Sequence, residues 1–408
     1  MLNKDIAIVS YSRTPVGKFG MSLKDISSLD LGALVIRAAV KRAGLKPEQI
    51  DRVVMGENIQ TTPRGDPARH VLLRAGLSFQ TDDYSINMNC SSGMRAVVCA
   101  AQDIILGERE IIVAGGMENM SQSPHFVEGV RWGLKLGGAR LVDFLSDYLL
   151  PDAGPMAENV AERYGISRNE QDEFAYESHM RAIKAIDEKK FVEEIIPVPV
   201  KAIEEKAAIE TVLEDKLVPL PEETTGNDLF KVDEHPRRDT SLEKLSSLRP
   251  IFKRGGTVTA GNASGINDGA AALVLMKEEK AKEFGLSPLA HLRAWESAGI
   301  EPELFGMGPV PAVKKLLNKE NVNIEHIDLF EINEAFASST IAVMRELKIN
   351  PQKVNPNGGA IALGHPVGAT GVIIMIKLIN EMRRRKSKYG IAAMCVGSGQ
   401  GMAVMIEV

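Results

Sequence analysis

Gln49-Ile50-Asp51-Arg52-Val53-Val54-Met55-Gly56-Glu57-Asn58 returns, altered, as His326-Ile327-Asp328-Leu329-Phe330-Glu331-Ile332-Asn333-Glu334-Ala335. Three further pairs follow in the same order. Phe19-Gly20-Met21 recurs as Phe305-Gly306-Met307, each after a proline (Pro15, Pro302). Asn87-Met88-Asn89-Cys90 recurs as Asn355-Pro356-Asn357-Gly358, and Glu110 to Gly116 finds its counterpart in Gly390 to Gly397. Each match is weak alone, but the shared order and offsets of about 270–290 residues point to a duplicated half.

Within each copy, strand-like and helix-like segments alternate. Asp5 to Ser10 is short and β-rich, and Leu29 to Ala43 has helical spacing and stops at Gly44. Met94, Val97, Val98, Ala101, Ile104 and Ile105 fall on one helical face, closed by Gly107. Ile50 to Met55 reads as a strand before a loop at Thr61 to Asp66, and Glu110 to Ala114 as a buried strand ending at Gly115-Gly116. Such alternation predicts an α/β fold on a largely parallel sheet. Met120 to Gly265 breaks the pattern with proline turns and a charged helical stretch, Ser167 to Lys190. It reads as an inserted loop domain, 120–265. The N-terminal half is then 1–119, completed by 266–288, and the C-terminal half is 289–408. A long insertion in an α/β protein is commonly a ligand clamp.

The composition narrows the functions open to the chain. Of 408 residues, 44% are hydrophobic and 25% charged, which gives a globular protein with ample core. A net charge of −5 argues against non-specific binding of nucleic acid or anionic membrane, while leaving room for a local cationic patch and an anionic small molecule. Three unevenly spaced cysteines form neither a disulfide framework nor a zinc pattern, so no metal is expected and a reducing compartment is. Met1 to Val9 reads as a first strand rather than a signal peptide, no apolar run reaches membrane-spanning length, and the expected location is the cytoplasm.

Cys90 stands at the mouth of the helix that starts the central periodic segment, among Asn, Ser and Gly. Unpaired N–H groups and the helix dipole there favour thiolate, the nucleophilic form. Cys99, by contrast, lies in Val98-Cys99-Ala100-Ala101 and reads as core. His365 is boxed in by glycines on both sides, so a ligand approaches it closely, and a histidine near its ordinary pKa of ~6.5 is a natural base for a thiol. Cys395 ends a strand and precedes Gly397-Ser398-Gly399, where it is either a strand-end core thiol or a partner for the first. Asn333 is open to two readings, a helix N-cap or an amide that positions a water or polarises a carbonyl.

Together these segments resemble the thiolase family, CoA-dependent enzymes that make or cleave 3-oxoacyl-CoA thioesters. The likeness runs along nearly the whole chain, through Arg13 to Gly20, Gly116 to Ser121, Ala157 to Glu162, Thr259 to Ala270, Asn333 to Phe336, Gly358 to Gly371 and Cys395 to Gly401. It implies two α/β halves in a five-layered αβαβα sandwich with a loop domain over the active site. It also implies a ping-pong acyl transfer. Cys90 would carry the acyl group, His365 take its proton, and Cys395 serve as acid and base at the α-carbon. A water on Asn333, with His365, would meet enolate charge, and the N–H groups of Cys90 and Gly397 would form a second oxyanion hole. Ser264 and Ala260 would contact pantetheine, with Phe252, Arg237 and Phe336 along the CoA channel. CoA would be a substrate with no permanent cofactor, acyl-CoA and CoA the partners, and the assembly a homodimer or homotetramer.

The chain departs from the family where many relatives carry His-Met-Gly. It has Asp152-Ala153-Gly154, after a shortened stretch from Leu141 to Pro151. Losing a methionine and an imidazole there either opens the acyl pocket or adds an anion to it. Acetoacetyl-CoA chemistry is the expected activity, with longer-chain 3-ketoacyl-CoA thiolysis the alternative. A decarboxylating ketoacyl synthase shares the duplicated plan but lacks the second catalytic cysteine. A non-catalytic acyl-CoA-binding scaffold would be expected to lose Cys90, His365 or Cys395, and all three are present.

Overall fold

The duplicated segments become equivalent strands. The computed structural model describes residues 6–61, 65–149, 152–207, 217–224 and 228–408. Met1 to Asp5 of the opening stretch, residues 62–64 of the expected loop and residues 150–151 of the shortened stretch lie outside the described residues. The N-terminal copy runs β1 (Ile6–Arg13), α1 (Ser28–Arg42), β2 (Arg52–Gly56), α2 (Pro67–Arg74), β3 (Asp82–Ile86), α3 (Ser92–Leu106) and β4 (Ile111–Asn119). Helices α4 (Ala153–Arg163) and α5 (Arg168–Asp187) follow, and β5 (Asn267–Lys277) returns to the first sheet. The second copy runs β6 (Ala290–Gly299), α6 (Pro309–Glu320), β7 (Leu329–Ile332), α7 (Ala337–Leu347), α8 (Val367–Arg385), β8 (Tyr389–Val396) and β9 (Gln400–Glu407).

The first half-sheet has the order β3-β2-β4-β5-β1 and the second β7-β8-β9-β6. Val354 bridges Phe330 of β7 in parallel, where the second copy's counterpart of β3 would lie. The halves meet where β1 and β6 pair antiparallel, with Ile6 opposite Leu292. The sheet is therefore mixed rather than largely parallel. Among the described strands, β2 with β3 and β4, and β7 with β8, run parallel, and the other strand pairs run antiparallel. β8 and β9 are joined by a tight turn at Gly397 to Gly399, and a hairpin enforces the antiparallel arrangement.

Helix periodicity decides the layering. Met94, Val97, Val98, Ala101 and Ile104 of α3 pack with Val372, Met375, Ile376 and Ile379 of α8 in one core. That core also takes Ile112 and Leu273 from the first half-sheet and Met394 and Val404 from the second. α1 and α2 cover the other face of the first half-sheet, through residues such as Leu34 and Val71 against Val53 and Met55. α6 and α7 do the same for the second, through Val313, Leu316 and Ile341 against Phe330 and Ile391. The result is the five-layered α/β sandwich, with α3 and α8 in the middle.

Buried charge ties Glu194 and Asp233 to this frame. Arg13 of β1 is fully buried, 2.7 Å from Glu194 and 2.8 Å from Asp233. Burial works against its charge, but the two carboxylates outweigh it and raise the guanidinium pKa. α5 starts on a reciprocal cap, in which Glu170 accepts the Ser167 N–H at 2.8 Å and Ser167 Oγ accepts the Glu170 N–H at 3.3 Å. Strands His125–Glu128 and Arg140–Asp143 form a hairpin with Phe126, Trp132, Leu134 and Leu141 exposed. Among the described residues no helix is long and apolar enough to cross a membrane.

Candidate active site

The Cys90 turn is built from small polar side chains closing on their own backbone. Ser92 Oγ accepts the Met88 N–H at 2.9 Å and donates to the Asn89 carbonyl at 2.7 Å, while Asn87 Oδ1 accepts the Asn89 N–H at 3.1 Å. Asn89 takes a left-handed conformation (φ 47°), which asparagine tolerates. The half-buried thiol thus sits just ahead of α3. At the neighbouring turn, Asn89 Nδ2 donates to the Gly397 carbonyl at 3.1 Å.

This environment reverses the expected protonation of the thiol. Burial pushes Cys90 up to about 11, and the Glu118 carboxyl adds to that. The N–H groups of Gly397 and of Cys90 itself pull the other way without prevailing. A helix N-terminus supplies partial charge only, and among the described residues no cation offsets the loss of water.

His365 is buried and lowered to about 4 by that burial, well below the ordinary value expected from sequence. Its main-chain N–H is fixed by Asn267 Oδ1 at 2.9 Å. Thr370 Oγ1 donates to the Pro366 carbonyl at 2.8 Å and lies 2.7 Å from His365 Nδ1, so Nδ1 must carry the ring proton. Nε2 then accepts from Asn333 Nδ2, 3.4 Å away. Asn333 Oδ1 is buried and has no hydrogen-bond partner among the described residues. α7 starts only at Ala337, so Asn333 is not its N-cap.

Cys395 ends β8, buried against Ala157, Val258, Phe305 and Phe336. Burial raises its pKa strongly, and Cys90, near enough to interact, raises it further. One thiol belongs to each half of the molecule. The N-termini of α3 and α8 close behind them, where a side chain at Gly93 would strike the Gly368 carbonyl.

The comparisons with known proteins bear on this arrangement. The family model for the thiolase N-terminal domain matches residues 6–279, and that for the thiolase C-terminal domain matches residues 286–408. The chain belongs to the thiolase family. It is 45% identical to an acetyl-CoA acetyltransferase of Cupriavidus necator over 99% of both chains. Among solved structures, the acetyl-CoA acetyltransferase of Bacillus anthracis is 43% identical with a TM-score of 0.90, covering 99% of this chain and 98% of that one. Human mitochondrial 3-ketoacyl-CoA thiolase in complex with CoA is 39% identical with a TM-score of 0.90, covering 100% of this chain and 98% of that one. This thiolase is a CoA-dependent acyltransferase.

The remaining residues singled out in the thiolase sequence fall into two groups. Phe252 and Phe336 meet edge to face, with ring centroids 6.3 Å apart, in the apolar cluster around Cys395. The Ser264 N–H donates to the Ala335 carbonyl at 2.9 Å, beside Phe336. Ala260 and Arg237 are exposed. Arg237 meets α5 through its backbone N–H, 3.2 Å from His179 Nδ1. Cys99, expected in the core, is half-buried at the rim of the central one. Sequence reasoning missed Thr370, Asn267 and Asn89. Each lies in or beside a quoted motif, but nothing in spacing alone marks which of its polar residues turns toward the site.

Proposed function

We propose that this thiolase interconverts two acetyl-CoA with acetoacetyl-CoA and CoA, by transfer through an acyl-cysteine. The feature that supports the reading is the approach of two thiols, one from each half and near enough to interact, with His365 Nε2 3.4 Å from an Asn333 side chain whose amide oxygen has no partner among the described residues. Cys90 Sγ attacks the thioester carbonyl as its proton passes to His365 Nε2. The C–S bond to CoA breaks, and CoA leaves with that proton. Cys395 passes its own proton to the again neutral His365 and, as thiolate, removes an α-proton from the second acetyl-CoA; the resulting carbanion attacks the acyl group and expels Cys90, which takes the proton back from His365. Thiolysis is the reverse. The N–H groups of Cys90 and Gly397 stabilise the tetrahedral oxyanion, and Asn333, through a water, stabilises the enolate with His365.

Ser264, Ala260, Phe252, Arg237 and Phe336 line the path of CoA, and residues 120–265 act as the loop domain that clamps it. The exposed apolar hairpin at residues 125–143 and the unshared edge of β3 among the described residues support a homodimer or homotetramer. Three unpaired thiols, two of them needed reduced, support a cytoplasmic setting. The second reading, thiolysis of longer 3-oxoacyl-CoA, is favoured by Ala153 beside the Phe252 cluster, where a methionine would fill space.

Mass spectrometry after acetyl-CoA treatment should find one acetyl group on the Cys90 peptide and none in Cys90→Ser. Cys395→Ala should still acetylate Cys90 but lose at least ~10² in condensation and thiolysis. Acetyl on Cys99 or Cys395 would overturn the assignment, and near-normal turnover of Cys395→Ala would remove that thiol from the mechanism.

A further inference from the structure

Glu118, at the end of β4, is wholly buried and faces three backbone donors. Its Oε1 accepts the Ile59 N–H at 3.0 Å, and its Oε2 accepts those of Asn58 at 3.1 Å and Gly368 at 2.8 Å. Gly368 is the second residue of α8, three beyond His365. On the other side, the Asn58 carbonyl accepts Asn87 Nδ2 at 3.0 Å and Asn87 Oδ1 accepts the Asn89 N–H at 3.1 Å. Asn89 Nδ2 in turn holds the Gly397 carbonyl at 3.1 Å. A single string of hydrogen bonds therefore runs from the histidine helix, through Glu118, along the Cys90 turn to Gly397.

A second carboxyl lies alongside. Glu57 is also buried, with Oε1 accepting from Ser28 Oγ at 2.6 Å and Oε2 without a partner among the described residues. Two carboxylates in a dry interior do not both stay ionised. Burial raises both, and Glu57 raises Glu118 further. All three N–H donors face Glu118 and a lone hydroxyl faces Glu57, so the pair's one charge belongs on Glu118 and the proton on Glu57.

We propose that Glu118 is a positioning residue, whose carboxylate holds the His365 helix and the Cys90 turn in one frame while protonated Glu57 seals the space behind it. Glu118 acts through both groups and touches neither. The proposal rests on Cys90 and His365 being the reacting pair.

Glu118→Gln turns an amide N–H₂ against a backbone donor and should break the string. Turnover in acetoacetyl-CoA thiolysis should fall about 10- to 10²-fold, the usual cost of a small misplacement of reacting groups. KM for CoA should hold, so the loss falls on kcat. Asn87→Ala cuts the same string at an exposed residue and should lower kcat with KM for CoA unchanged, even if Glu118→Gln does not fold. Glu57→Gln should keep wild-type kcat. Folded Glu118→Gln or Asn87→Ala with wild-type kcat, or with a lower melting temperature as the sole change, would overturn the proposal. Cys90→Ser run alongside separates the two ideas. If it is silent while the other variants are normal, Glu118 alone is misassigned, and if it turns over, the reading of the site itself fails.

Discussion

At the scale of the residue, protonation state decides what the site does. His365 is held as a neutral imidazole of one tautomer because the Thr370 hydroxyl is already committed to Pro366. Thr370→Val keeps the shape and removes the acceptor. It should lower kcat by about 10² or more with little change in KM, since a wrong tautomer leaves a catalytic imidazole without its base. Steady-state thiolysis measures this, and an unchanged kcat would show that the ring is oriented by other contacts. Cys90 offers a second test. With its thiol pushed up to about 11, alkylation of the free enzyme should keep rising above pH 9, where an ordinary thiol levels off. A plateau near pH 8.5 would contradict a thiol held neutral. The same shift sets a stability term. The folded thiol holds its proton longer than the unfolded one, so the contribution is complete below pH ~9 and is lost as pH rises toward 11. The turns that carry Cys90, His365 and Cys395 were legible in the sequence because glycine and small polar neighbours mark chain reversals. The protonation of these side chains was not, because desolvation depends on what the other half of the chain packs against them.

At the scale of the element, the start of α4 shapes the apolar cluster. Sequence left open whether Asp152 adds an anion to the pocket. It is exposed at the helix start, while Ala153 and Met156 join Phe252 and Phe336 around Cys395. Gly154 lies directly under the Phe252 ring, so a Cβ there would strike it. Ala153→Met should lower kcat/KM for C6 and C8 3-oxoacyl-CoA relative to C4, by up to ~0.8 kcal/mol per methylene excluded from apolar contact. An unchanged chain-length profile would place the pocket elsewhere. Element ends show where sequence signals fall short. The Gly115-Gly116 pair reads as a strand stop, yet β4 continues to Asn119 because Gly115 and Gly116 pair with Ala272 and Ala271 of β5. The charged helical stretch read from Ser167 starts where α5 does, because the Ser167–Glu170 capping box that opens the helix is a local interaction. The repeat was legible as order and offset, but its asymmetry was not. Phe305 is buried in the cluster around Cys395, while its counterpart Phe19 is 48% exposed.

At the scale of the whole molecule, charge and exposed apolar surface govern how the parts hold together. Asp233→Asn removes one carboxylate from the buried Arg13 cluster and should destabilise the fold by about 3–5 kcal/mol, the usual cost of a broken buried pair. Chemical denaturation reads this directly, and a change under 1 kcal/mol would mean that Glu194 alone suffices. If the hairpin at residues 125–143 joins copies of the chain, replacing Trp132 and Leu134 with serine should reduce the molecular mass seen by light scattering without loss of secondary structure. An unchanged mass would assign assembly to another surface.

The placement of β5 between β1 and β4 has a consequence for the growing chain. The first half-sheet lacks its inner strand until residue 277 has left the ribosome, after residues 120–266 have already been made. Until then β1 and β4 expose unpaired edges, and closing the sheet must overcome the entropy of a long loop. That loop entropy grows only logarithmically, so the greater hazard is kinetic: a nascent chain halted before Asn267 presents two open strand edges to its neighbours.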